Sequence, residues 1–329
     1  MIITRVSKFT GLLRESVFGA AFGTSMIKDV YVTSETITAL LFSFLFVSVQ
    51  TIFIPLYNRV LNNKDRKNAD LFTSNFTNVL LVISVVIVIV ALLFMDKFVS
   101  IVAAGYTGEK FETAVYFTRI RMFGIFFSAA NACMISYLNI YNDFRTPAFT
   151  GIISNIVLIN VAIISAYFQS IELLVGGTIL SVAVQYIMFP RALKKVGYNH
   201  KLYLDFKDNN LKNALALALP VMFSIVVNDV SIIIDQTIAS SIVTDGGVSA
   251  LDYAQKIYQI IYGIVIVSIV TAAYPRMSKL AQSDKIKEMK SVTVDSITMG
   301  LILIIPATIG LMLFAEPVVR LFYERRAFT

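Results

Sequence analysis

Apolar residues along this chain come in blocks rather than in alternation. Nine blocks, at roughly 2–23, 31–57, 76–95, 117–141, 148–168, 171–190, 213–240, 249–274 and 292–314, are long enough or nearly long enough to cross about 30 Å of hydrocarbon as helices. In lipid every backbone polar group must be satisfied within the segment, so such blocks predict helices. The pattern predicts an all-α polytopic membrane protein. Composition agrees: 57% of the 329 residues are hydrophobic and 15% charged, with a mean hydropathy of +0.75. A soluble domain carries roughly 25% charged residues.

Charge adds orientation. Sixteen Lys and Arg residues flank the even-numbered blocks on their C-terminal side, and five (Lys28, Lys97, Lys110, Arg119 and Arg121) follow the odd-numbered ones. The positive-inside rule then places the N-terminus in the cytoplasm and the end of the chain outside. Positive-inside topology also accounts for the net charge of +7, so no nucleic-acid partner is expected. The longest cytoplasmic connection, 191–212, is the candidate domain boundary. Block 2 ends VQTIFIPLYNRVLN and block 8 ends IVTAAYPRMSKLAQ, with Pro55 four residues before Arg59 and Pro275 four before Lys279. Many membrane helices end in Pro plus a cation, but six blocks separate these two at the same orientation. That spacing suggests a parallel repeat of six-helix lobes, 1–200 and 201–329, the second incomplete.

Charges inside the blocks are the candidate chemistry. A charge at mid-membrane costs at least about 2.5–3.5 kcal/mol and normally faces a polar cavity or a partner. Block 1 holds Arg5, Lys8, Arg14 and Glu15. Snorkelling to the headgroups is open for Arg5 and Lys8, and a kink at Gly11 would aim Lys8 and Arg14 inward together. Asp29 opens block 2, as a cap on the positive helix end or as a cavity acid, and Glu35 lies deeper. Asp229 and Asp235 interrupt block 7, and Asp252 and Lys256 form an i,i+4 pair in block 8. A cavity rich in cations suits an amphiphile with an anionic head. The single Cys133 and single His200, the latter read as a solvated loop residue, cannot form a metal cluster or a Cys/His nucleophile pair. No phosphate-cradling GK[ST] loop is present, no acid/base enzyme site is apparent, and neither cofactor nor metal is called for.

At this point SKFTGLLRESVFGAAFGTSMIKDVYV resembles the helix 1–2 signature of the MurJ/MviN family, flippases of the lipid-linked peptidoglycan precursor. The stretch 235–281 resembles the family's helix 7–8 region, and PVVRLFYERRAFT its continuation, with Arg326 where the family usually has Gly. The resemblance implies fourteen helices in two lobes that rock in alternating access, and so a chain lacking the last five. It implies a bacterial cytoplasmic-membrane protein that works as a monomer. Its substrate would be a polyprenyl-pyrophosphate glycolipid, bound by Lys8, Arg14, Lys256 and Asp29, with transport driven by the membrane potential or a monovalent cation. Asp235 or Asp229 is the candidate cation ligand. Two departures matter: the arginine pair usual in helix 2 is absent from TALLFSFLFVSVQT (38–51), and Gln255 replaces the acid before Lys256. A flippase for another polyprenyl-linked glycan, a drug/cation antiporter, a membrane enzyme on polyprenyl phosphates and a non-transporting scaffold are the alternatives.

Overall fold

The computed structural model describes residues 2–243, 245–283 and 285–328, and within them the side chains outside 2–5, 44–48, 50–51, 215, 218–226, 228 and 282. The interfacial reading of Arg5 lies outside the described side chains. Twelve α-helices follow one another among the described residues: α1 Ile2–Phe22, α2 Met26–Asn63, α3 Arg66–Val102, α4 Gly108–Arg121, α5 Gly124–Ile140, α6 Arg145–Phe168, α7 Ile171–Ala183, α8 Phe189–Lys195, α9 Asn209–Ile242, α10 Gly247–Gln282, α11 Ile286–Leu313 and α12 Ala315–Tyr323. A 3₁₀ turn, Val184–Ile187, breaks the run between α7 and α8.

Each apolar block falls on a helix or helix pair. Among the described residues, five stretches could cross a membrane by length and composition: α3, α6, Ile171–Lys195, Gly247–Ala281 and α11. The pair α4 and α5, bent by 42°, would make a sixth. The helices outrun the blocks at their polar ends. α3 starts at Arg66 rather than near 76, because Asp65 caps it by accepting the Asn68 N–H at 2.7 Å. α4 starts at Gly108 rather than near 117, with Ala114, Val115 and Phe117 on its buried face. That places Arg121 at the end of a helix, where the sequence suggested a beginning.

The chain divides into two compact units, Met1–Ser249 and Ala250–Thr329. This division does not coincide with the connection at 191–212: α9 packs on α2 and α3 and belongs to the first unit. Pro55 and Pro275 both lie inside long helices, α2 and α10, with the helix continuing beyond each.

The first unit has two apolar clusters. One gathers Phe18, Tyr31, Met95, Val99, Phe117 and Ile125. The other gathers Phe53, Tyr57, Phe72, Phe76, Tyr137 and Phe189. Helix α1 is continuous through Gly11, so the kink anticipated there is absent; a Cβ there would make ordinary contact with the Asn155 side chain of α6 at 3.7 Å. Gly105 brings the α3–α4 connection against the backbone of Ser240 on α9: a Cβ there would sit 2.0 Å from the Ser240 carbonyl oxygen. The Thr237 hydroxyl donates to the Ile101 carbonyl at 2.7 Å beside it.

The 191–212 connection is fastened to α3. Asn75 donates to the Asp205 carbonyl at 2.9 Å and accepts its N–H at 2.7 Å. Asn78 donates to the carbonyls of Lys201 and Tyr203, and the Arg66 guanidinium to that of Val196. His200 is therefore not simply solvated. It sits between the Tyr198 hydroxyl at 3.1 Å and the Asn78 amide oxygen at 3.0 Å, and burial lowers its pKa. Since Asn78 spends its N–H₂ on the two carbonyls, its oxygen faces His200 Nε2, which fixes Nε2 as the donor and Nδ1 as the acceptor.

In the second unit Tyr253, Ile257 and Tyr323 form a small buried cluster, joined by Val318, Phe322 and Phe328. The apolar faces of α10 and α11 beyond it stay open, as suits helices meeting lipid or further helices. Arg326 has φ +52°, a left-handed backbone that favours glycine. The family's glycine at this position therefore has a backbone reason.

Asp143 caps α6. Burial works against its carboxylate, but hydrogen bonds from the Thr146 hydroxyl at 2.7 Å and from the N–H groups of Thr146 and Arg145 outweigh it and hold the pKa below the usual 3.8. A depressed carboxyl stabilises above its unfolded pKa, and the contribution is lost as pH falls through the folded value. Asp143→Ala should cost about 1 kcal/mol at pH 7. Thermal unfolding in detergent should show that deficit shrinking below about pH 4.

Candidate functional site

Two of the five charges that the sequence left as outer-side topology markers prove to be buried, while Lys97 and Arg119 are exposed. Lys28 is 1% exposed and Lys110 7%. Neither tallies with an outer loop; each is held by a carboxylate.

Asp29 lies in the first turn of α2 and is 0% exposed. One oxygen accepts Lys110 Nζ at 2.7 Å and the Gly246 N–H at 2.8 Å. The other accepts the Ser249 N–H at 2.8 Å and its hydroxyl at 2.7 Å. Lys110 also reaches Asp245 at 3.1 Å and lies over the Tyr106 ring. Asp29 thus caps a second helix, α10, across 220 residues of sequence. With four donors on two oxygens it has little capacity left for a ligand.

Arg14 and Glu15 are adjacent on α1. The Arg14 guanidinium gives Nε to Glu15 at 3.1 Å and Nη1 to the Asn155 amide oxygen at 3.2 Å. The second Glu15 oxygen lies 3.7 Å from Lys28 Nζ, which sits over the rings of Phe18 and Tyr31. The Asn155 N–H₂ donates back to the Ser7 carbonyl and the Thr10 hydroxyl. One amide on α6 thereby fixes both the α1 backbone and the Arg14 head. Lys8, by contrast, is exposed and joins no ion pair among the described residues.

Arg14 borders a cavity of about 260 Å³ between α1, α2, α5, α6 and α7. Glu35 and Arg121 also line it, with the hydroxyls of Thr38, Ser128, Ser154 and Thr178. Arg121 Nη2 is 3.6 Å from Glu35, and its guanidinium stacks 4.9 Å over the Tyr31 ring. Of the charges that line this space, Arg14 and Arg121 are cations and Glu35 is a carboxylate, which leaves one net positive charge. A recess walled by helices strengthens the pull of its charges on an anion relative to a flat surface. Arg121 was missed from sequence because it sits beside a loop and reads as a topology cation; its place two residues after Arg119 was the only signal.

Neither Asp229 nor Asp235 lines this cavity. Asp229 accepts the Ser43 hydroxyl at 2.8 Å. Asp235 is exposed. In the second unit Lys256 lies 3.6 Å from Asp252, the anticipated i,i+4 pair. Among the described residues no group of three or more His, Cys, Asp or Glu could hold a metal ion.

A bundle of apolar helices around buried, paired charges is the build of a multi-pass membrane protein. A solved "multidrug resistance MATE family transporter of the MOP superfamily" shares the fold, with a TM-score of 0.64 at 18% identity over 98% of this chain and 72% of its own. The family model for the lipid II flippase MurJ matches residues 18–329, and the chain belongs to that family. A solved lipid II flippase MurJ, in an inward closed conformation, superposes with a TM-score of 0.82 at 27% identity, covering 100% of this chain and 68% of the other. The probable lipid II flippase MurJ of Rickettsia prowazekii is 28% identical over 99% of this chain. The chain spans 65% of that relative's length and 62% of the Rhizobium tropici one.

The Asp29 node makes a stability prediction. Asp29→Ala leaves Lys110 charged and buried, and breaking a buried pair from one side costs about 3–5 kcal/mol. Melting in detergent should show that loss for Asp29→Ala and a smaller one for Asp29→Asn, which keeps an acceptor for the Gly246 and Ser249 N–H groups. Equal, small losses would contradict a capping role.

Proposed function

We propose that this protein moves an undecaprenyl-pyrophosphate-linked peptidoglycan precursor, lipid II, from the cytoplasmic to the outer leaflet by alternating access. The observation that carries the reading is the net-positive cavity beside Arg14, inside a chain of this family. The pyrophosphate enters the cavity, where guanidinium groups grip phosphate oxygens as forks. The polyprenyl tail stays in lipid between helices. Arg14 is the first-unit residue for this role; Lys8 at the exposed end of the same helix attracts the anion before it enters, and Lys256 is a candidate cation of the second unit. Asp29 serves the site indirectly, by setting where α2 and α10 begin.

In this reading α1, α2 and α9 cross the bilayer as well, giving nine crossings with the N-terminus in the cytoplasm of a bacterial inner membrane. The two six-helix lobes of the repeat are the moving parts, and the protein works as a monomer. Asp229 and Asp235 are the candidate ligands for a coupling cation, with the membrane potential as the other drive. A flippase for a different polyprenyl-linked glycan is the second reading, favoured by the missing helix-2 arginines over 38–51.

Growth rescue of bacteria depleted of their own lipid II flippase tests the reading, with the protein expressed from its own full gene. Rescue is expected, and Arg14→Gln or Lys256→Gln should each abolish it at unchanged membrane abundance. Normal growth with both variants would sink the cavity model. No rescue by the well-inserted parent would favour the other glycan-lipid.

A further inference from the structure

The cavity contains an arginine whose hydrogen-bonding capacity is not used. Arg14 gives Nε and Nη2 to Glu15 and Nη1 to Asn155, which leaves it one further N–H on each terminal nitrogen. Arg121, at the C-terminal end of α4, turns its side chain inward and is only 15% exposed. Its Nη2 lies 3.6 Å from Glu35, an ion pair too long for a hydrogen bond. Its Nη1 is buried and has no partner among protein atoms. The hydroxyl of Thr38, on the same cavity wall, is likewise buried without a partner. Buried polar groups of native proteins are nearly always satisfied, and an orphaned charged donor is among the costliest exceptions. Two such orphans facing one space of about 260 Å³ describe half of a binding site, and what both can offer is hydrogen to an acceptor.

We propose that Arg121 is an anion-binding arginine of this cavity, recognising one phosphoryl group of a lipid-borne diphosphate while Arg14 faces the other. Thr38 donates its hydroxyl to the same anion. Tyr31 under the guanidinium plane fixes its tilt, and Glu35 holds it in place as an exchangeable counter-ion. Guanidinium binds phosphate through parallel N–H groups, so the loose contact to Glu35 is the one an incoming phosphoryl oxygen displaces. Two guanidinium groups on one cavity suit two linked phosphoryl groups better than one. The inference deepens the flippase reading and rests on it.

The test is binding of undecaprenyl diphosphate and undecaprenyl monophosphate to the full-length protein in detergent, followed by native mass spectrometry. The parent should prefer the diphosphate at least tenfold. Arg121→Gln should weaken diphosphate binding tenfold or more and remove the preference, with Arg121→Lys intermediate. Glu35→Gln should tighten diphosphate binding several-fold, an effect that a purely structural Glu35 would not produce. Millimolar inorganic pyrophosphate should displace the lipid from the parent; no displacement would assign the affinity to the tail and overturn the proposal. If Arg121→Gln is misfolded by its melting profile, the lysine and Glu35 variants decide. Parent-like binding by Arg121→Gln, with loss in Arg14→Gln, would overturn the role of Arg121 and leave the flippase reading standing. A parent that binds neither lipid would overturn both.

Discussion

The Asp29 carboxylate fixes three segments of chain at one point: the first turn of α2, Lys110 on α4, and the residues that open α10. Nothing in a bilayer interior replaces water as a partner for an ion, so a buried carboxylate needs its donors supplied by the fold. Here two come from backbone N–H groups at a helix start, where the field of the helix already favours a negative charge. The position of α4 then determines where Arg121 ends up, and the position of α2 determines Tyr31, Glu35 and Thr38. The cavity wall is in this sense a consequence of one salt bridge and one cap.

The architecture was largely legible from sequence. Apolar blocks gave the helices because lipid leaves the backbone no other choice. The ends were less legible. α3 and α4 both extend beyond their apolar cores on polar turns, and those turns are where Asp65, Ser74, Asn75 and Asn78 act. No local signal shows that an asparagine on α3 holds a connection 130 residues later. The boundary between compact units escaped for a similar reason: α9 follows the long connection in sequence, but its contacts are with α2 and α3.

Individual charges were the least legible part. Spacing identified Arg14 and Asp29 as residues that should not face lipid, and both are indeed held by polar partners. It could not distinguish a saturated carboxylate from one free to meet a ligand, since that depends on donors from elsewhere in the chain. Lys28, Lys110 and Arg121 were counted as outer-surface cations by a rule that treats every lysine and arginine near a helix end alike. With those three set aside, two cations follow the odd-numbered blocks against sixteen after the even-numbered ones. Lys8 runs the other way: its place in the family pattern marked it for the cavity, but the straight course of α1 leaves it exposed.

Asn155 has a consequence for how the protein is made. It is the residue that holds Arg14 and the α1 backbone together, and it follows Arg14 by 141 residues. Ribosomes add about 5–20 residues per second, so α1 leaves the tunnel on the order of ten seconds before its partner does. During that interval Glu15 has Arg14 and Lys28 beside it, but the Arg14 head and the α1 backbone wait for their α6 amide. The polar seam between α1 and α6 therefore closes only late in synthesis.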